Sequence, residues 1–206
     1  MSLFLDHARS TELYRKLCAA VESADGNLLE RTDDKTAEAQ VEFLRWALAQ
    51  ARPAVIVETA TNKGLFLYLV SLLCRDVTVH TFDRDPRCAR AAELVNQSQC
   101  NVVAVFHEGD TRQALRDLNV EAQFAWIDGG HDADIPLSDL MQCYRLRIPY
   151  VAVDDSAYPE LQQAVQYMTG QTPYRIAGNP FIEHDRRRAV LLHLPSEQRA
   201  TASAIA

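Results

Sequence analysis

A doubly wound, Rossmann-like α/β fold is predicted for these 206 residues, with a mostly parallel sheet, an antiparallel closing strand and two N-terminal helices. Three observations predict it. Short apolar runs recur between Pro53 and Val153, amphipathic stretches of helical period separate them, and the last two apolar runs have no helix between them.

Residues 10–24 carry Leu13, Leu17, Ala20 and Val21 at helical spacing, and residues 35–51 carry Ala37, Val41, Leu44, Trp46 and Leu48 among charges. Two helices therefore precede the sheet. The polar stretch from Asp25 to Asp34 holds Gly26 and Asn27 and is expected to be a loop able to fold over a site. From Pro53 the order runs AVIVE (54–58), helix 64–74, VTVHTF (77–82), helix 86–97, NVVAVF (101–106), helix 111–118, QFAWI (123–127), helix 136–146, YVAV (150–153) and helix 159–168. Continuous apolar strands are buried on both faces, and consecutive βα units imply parallel pairing through right-handed crossovers. Tyr174–Ala177 and Ala189–Leu194, joined through Gly and Pro, are expected to form an antiparallel pair. The chain is thus expected to be one domain, with helices over 1–52, the core over 53–194 and a frayed tail over 195–206.

A net charge of -7 disfavours a nucleic-acid footprint and favours a small-molecule partner. Cys18, Cys74, Cys88, Cys100 and Cys143 contain no CxxC pair, so they suggest reduced thiols in a cytoplasmic protein, not zinc or a disulfide framework. The opening MSLFLDHARS lacks a secretory pattern, and the longest apolar stretch, Leu65 to Cys74, is far short of the roughly 20 residues that span a bilayer, so no membrane partner is expected. Pairing of two copies as a homodimer stays open.

In such a sheet, ligands sit beyond the carboxyl ends of the strands where strand order reverses. The turn there, Glu58-Thr59-Ala60-Thr61-Asn62-Lys63-Gly64, lacks the GxGxxG grip on a pyrophosphate and so disfavours NAD or FAD. A cofactor without phosphates remains. Asp83 ends the second strand, where a carboxylate accepts from ribose hydroxyls; the alternative is a turn acid, although Asp85 before Pro86 already supplies a cap. Gly64 serves either close helix packing or ligand approach. After the third strand, Glu108-Gly109-Asp110-Thr111 gives a helix cap, with or without an adenine contact.

The order VETATNKG, TFDRDP, HEGDTRQAL, WIDGGHDADIPLSDL and VAVDDS resembles the class I S-adenosylmethionine-dependent methyltransferases, particularly their small-molecule O-methyltransferase branch. This resemblance spans residues 35–170. It implies S-adenosylmethionine as cofactor, with Glu58 at its amino-acid end, Asp83 on the ribose, and Asp110 with Thr111 near the adenine. Ala60, Asn62, Gly64 and Asp128 would complete that site, and Ala60 stands where a Gly is usual, so its methyl narrows the backbone approach.

Asp128 ends the fourth strand, and Asp154 and Asp155 end the fifth. Neighbouring strands lie about 5 Å apart, so three mutually repelling carboxylates meet at one rim. One reading is a hard divalent cation such as Mg²⁺ held by Asp128, Asp154 and Asp155, as acids at these strand ends do in the resembling enzymes; the other is turn and cap acids with no metal. His131 follows a Gly-Gly turn and, with Asp134 as the expected cap before Ile135-Pro136, is either an inward general base or an exposed loop residue. Asp128, Asp154 and Asp155 would position an acceptor hydroxyl, directly or through a metal, while His131 takes its proton. Asn179-Pro180-Phe181 is a turn, Arg186-Arg187-Arg188 a solvated strand edge, and Tyr158 the aromatic nearest the rim. The expected function is O-methylation of a small molecule, with an inactive cofactor-binding domain or a nicotinamide-dependent oxidoreductase as alternatives.

Overall fold

Apolar side chains alternate across the central strands, and each alternation feeds one of two cores. In the computed structural model, which describes residues 8, 11–20, 34–98, 100–132, 134–183 and 188–197, the strands are β1 (Val55–Thr59), β2 (Val77–Asp83), β3 (Val102–Glu108), β4 (Phe124–Ile127), β5 (Tyr150–Val153), β6 (Arg175–Gly178) and β7 (Val190–His193). The helices are α1 (Glu12–Ala20), α2 (Asp34–Ala51), α3 (Leu65–Leu73), α4 (Ala89–Gln97), α5 (Thr111–Asp117), α6 (Ile135–Arg145) and α7 (Pro159–Gln171). Most of the loop expected over 25–34, as well as Arg186, Arg187 and the tail from residue 198, lies outside the described residues.

Ile56, Phe124, Trp126 and Ala152 face α1 to α4, whereas Val57, Ala125, Ile127, Val151 and Val153 face α5 to α7. This period of two on doubly covered strands is what a parallel sheet requires. The strand order is β3-β2-β1-β4-β5-β7-β6. Strands β1 to β5 pair in parallel, while β7 runs antiparallel to both β5 and β6. The antiparallel closing pair is as expected, with β7 inserted between β5 and β6. Tyr174 secures this end from below, donating to the Ile148 carbonyl at 2.5 Å.

The helix expected over 86–97 has two parts. Asp85 accepts from the Arg87 amide at 2.9 Å and starts a 3₁₀ turn over Pro86–Cys88, which leads directly into α4. Pro86 at the first position needs no hydrogen bond, as a helix start permits. Asn179 likewise makes its expected turn, its Oδ1 accepting from the Phe181 amide at 2.8 Å.

Gly64 precedes α3 with φ +77°, and a Cβ there would lie 2.6 Å from the Ala91 Cβ on α4. Its need for glycine thus comes from backbone conformation and helix packing. Gly64→Ala should destabilise the fold by about 1–3 kcal/mol through overpacking, read as a lower urea midpoint at unchanged m-value.

Candidate cofactor and catalytic site

The order reverses at β1, which has β2 on one side and β4 on the other. The chain leaves β1 through a tight turn in which Ala60 and Asn62 both take positive φ, 65° and 45°. That curl brings the Thr61 amide to the Phe82 carbonyl at 3.0 Å and the Asn62 amide to Asp83 Oδ2 at 2.8 Å. Asp83 Oδ1 accepts from the Asp85 amide at 2.9 Å. Two backbone amides therefore fix the carboxylate in orientation, and each oxygen keeps acceptor capacity for a ligand.

Asp83 opens onto a cleft whose wall also includes Ala60, Arg84, Asp110, Thr111 and Gly130. The structure thus brings together four of the expected cofactor residues, Ala60, Asp83, Asp110 and Thr111. Asp110 caps α5, accepting from the Arg112 amide at 3.0 Å. Its carboxylate also takes a two-pronged contact from the Arg112 guanidinium at 2.9 and 2.6 Å, and this pairing holds it down at about 2. Arg112 reaches on to Asp134 at 2.7 Å. Asp134 stands before α6 but makes no side-chain bond to that helix's amides, so the cap expected of it is corrected to an ion pair with Arg112.

Glu58 is fully buried at the end of β1 and lines neither this cleft nor the chamber beside it. Register places it opposite Thr81, whose hydroxyl donates to Glu58 Oε2 at 2.6 Å, and Thr81 is joined in turn to Thr61 Oγ1 at 2.5 Å. Burial above all, with Asp128 and Asp83 adding, pushes its carboxyl well above the usual range. A cation arriving nearby would favour its charged form. Asn62 contributes its amide, while Gly64 serves the helix packing already described.

Asp128 and Asp154 line a second, more apolar chamber with Gln40, Leu44, Phe66 and Trp126. The Phe66 and Trp126 rings stack with centroids 5.2 Å apart and form its floor. Asp155 departs from the expected trio. Its backbone takes φ 51°, and its Oδ2 lies 3.5 Å from His131 Nε2. The His131 ring sits in turn 4.4 Å from the Tyr158 ring. One oxygen of Asp154 accepts from the Asp155 amide at 2.9 Å. Among the described residues no group of three His, Cys, Asp or Glu side chains gathers as metal ligands. Asp155 faces His131, so of the expected Asp128, Asp154 and Asp155 set two acids line the chamber.

Sequence reasoning missed Arg84, Gly129, Gly130 and Ile135 as cleft residues. Arg84 directly follows Asp83 and Gly129-Gly130 directly follows Asp128, so adjacency was the available signal. It also missed Asp139 on α6, a wholly buried acid behind the Gly129-Gly130 turn. No helix among the described residues is long and apolar enough to cross a membrane.

The family described as methyltransferase domain matches residues 57–154, which is 98 of the 206. No curated protein matches the chain. Among solved structures, the S-adenosylmethionine-bound O-methyltransferase TomG from Streptomyces achromogenes is 16% identical, with 94% of this chain and 95% of that chain covered and a TM-score of 0.62. The SAH-bound methyltransferase PaMTH1 from Podospora anserina is 10% identical over 95% of each chain, also with a TM-score of 0.62. An SAH-bound O-methyltransferase from Bacillus cereus is 13% identical over 80% of this chain and 92% of that chain, with a TM-score of 0.54. Residues 57–154, which hold most of β1, all of β2 to β5 and the turns around the cleft, resemble the methyltransferase-domain family, and the chain has the fold of these S-adenosyl-bound methyltransferase structures.

Proposed function

We propose that the chain binds S-adenosylmethionine in the cleft walled by Ala60, Asp83 and Thr111, and methylates a hydroxyl of a small molecule held in the chamber of Asp128 and Asp154. The observation that carries this reading is Asp83, a carboxylate fixed by two backbone amides at a cleft that has no glycine-rich phosphate grip. When bound, the cofactor supplies an electrophilic methyl group, so the chain has only to align an acceptor oxygen and take its proton. Asp83 orients the ribose diol, and Thr111 with the capped Asp110 meets the adenine. Glu58 and Asp128, both acids near the end of β1, favour the cationic amino-acid end of the cofactor there. The TomG and Bacillus cereus structures, both O-methyltransferases with S-adenosyl ligands, support this assignment.

The stacked Phe66 and Trp126 suit an apolar or aromatic acceptor, and Asp128 and Asp154 can accept its hydroxyl hydrogen bond. His131 serves as general base, with Asp155 behind it to orient the imidazole and stabilise the imidazolium. In this arrangement the acids work without a divalent ion.

Calorimetry with SAM, SAH and NADH tests the cofactor. Both sulfur compounds should bind, and Asp83→Ala should weaken SAH by about 10- to 100-fold, the worth of one or two charge-assisted hydrogen bonds. NADH binding with neither sulfur compound bound would overturn the reading. In a methyl-transfer screen, His131→Ala should lower kcat by about 10²–10⁴-fold at unchanged SAH affinity, and EDTA should leave the rate unchanged.

Ala60 favours a second reading, a domain that keeps the cofactor site without turnover, because its methyl lines the cleft from a left-handed backbone. Ala60→Gly relieves about 1 kcal/mol of backbone strain and should tighten SAH binding. Methyl transfer in the wild-type chain with any hydroxyl acceptor removes this second reading.

A further inference from the structure

The anomaly outside the machinery above is Asp139. It lies in the middle of α6 with no exposed surface, and neither carboxyl oxygen makes a hydrogen bond. A buried polar group left in this state costs about 1–3 kcal/mol and calls for a physical reason. Its position supplies one. A Cβ added to Gly129 would lie 3.1 Å from Asp139 Oδ2 and 3.4 Å from Thr59 Oγ1, so carboxyl, threonine hydroxyl and turn share one small space. Gly129 and Gly130 form the cleft wall directly above it, and Thr111 stands on the same wall. The Thr59 hydroxyl is already tied to that turn, since it accepts from the Asp128 amide at 3.2 Å.

We propose that Asp139 is a positioning residue that works as the neutral acid, its proton holding the Gly129-Gly130 turn and the neighbouring threonine hydroxyls in the shape the cofactor requires. This inference rests on the reading of the cleft as the S-adenosylmethionine site. An ionised carboxylate meets there only the Thr111 and Thr59 hydroxyls and the charge of Arg112, whose guanidinium is already paired with Asp110 and Asp134, and these do not offset its burial. The protonated form instead places one O–H donor between Thr59 and Thr111, two acceptors within reach of a slight rotation.

The charged surroundings agree. Burial foremost, with Asp110 adding, raises the Asp139 carboxyl to about 7, against the opposing pull of the Thr111 and Thr59 hydroxyls and of Arg112. Arg112 faces Asp139 from α5 but is already engaged by Asp110 and Asp134. One turn along α6, Cys143 is buried and its thiol is pushed up partly by Asp139, so it stays neutral and offers no counter-charge.

The test is SAH affinity by calorimetry from about pH 6 to about pH 8.5, on the wild-type chain and on Asp139→Asn, which mimics the neutral acid. For one coupled proton the wild-type Kd should rise about tenfold per pH unit above about pH 7, while the Asn variant binds like wild type at about pH 6 and stays flat. A wild-type profile that is flat, or one matched by the Asn variant, overturns the proposal. Absence of SAH binding to either protein at every pH overturns the cofactor reading instead, and the positioning role with it. Without ligand, the folded state keeps a proton that the unfolded chain releases above about pH 4, so wild type should lose stability relative to Asp139→Asn as pH rises from about 4 to about 7, and no further above that. Should the Asn variant fold poorly, the Gly129 and Gly130 amide resonances of the wild-type chain decide the matter: an inflection near pH 7 is expected, and its absence overturns the proposal.

Discussion

Everything at the site depends on the reversal of winding at β1. Because β1 is flanked by β2 and β4, the helices that follow β1 and β2 go to one face and those that follow β3, β4 and β5 go to the other. The turns at the carboxyl ends therefore diverge, and the space between them cannot be filled by the sheet's own connections. Asp83, the Ala60 turn and the Gly129-Gly130 turn are the edges of that gap. A sheet wound in one direction only would place the same residues against neighbouring turns, without a cleft.

The same reversal concentrates acidic groups. Glu58, Asp83, Asp128, Asp154 and Asp155 all lie in or directly after the carboxyl-end residues of their strands. The chain handles them in different ways. Asp83 is held by amides, Asp155 lies against His131, and Glu58 is buried with a threonine donor. The end of β1 lies between two buried acids on opposite faces, because Glu58 points toward Thr81 and the next residue, Thr59, points toward Asp139. Such an arrangement favours a ligand that carries positive charge and disfavours one that carries phosphate, in keeping with the absent glycine-rich turn.

Much of the fold was legible because apolar runs and helical periods are local signals. The five βα units, the caps at Asp85 and Asp110, and the acid at Asp83 could each be read within a few residues. Asp155 could not, since one backbone angle decides whether it joins Asp128 and Asp154 or turns to His131. Asp134 looked like a cap by position, and only the approach of Arg112 from α5 reassigns it. Gly64 carried two readings until Ala91, 27 residues away, resolved them in favour of packing. Asp139 was invisible because in sequence it is one polar position on an amphipathic helix, and its burial arises only when α6 docks against the end of β1.

The insertion of β7 between β5 and β6 also sets the order of events during synthesis. Strand β5, whose end carries Asp154, has no partner on its outer side until residues 190–193 have left the ribosome. Until then the nascent sheet presents an unpaired edge next to the chamber of Asp128 and Asp154, the kind of surface on which incomplete chains join one another. Chains that stall or are cut before residue 190 thus expose this edge to chaperones and proteases, so quality control in the cell should be especially sensitive to loss of the closing strand.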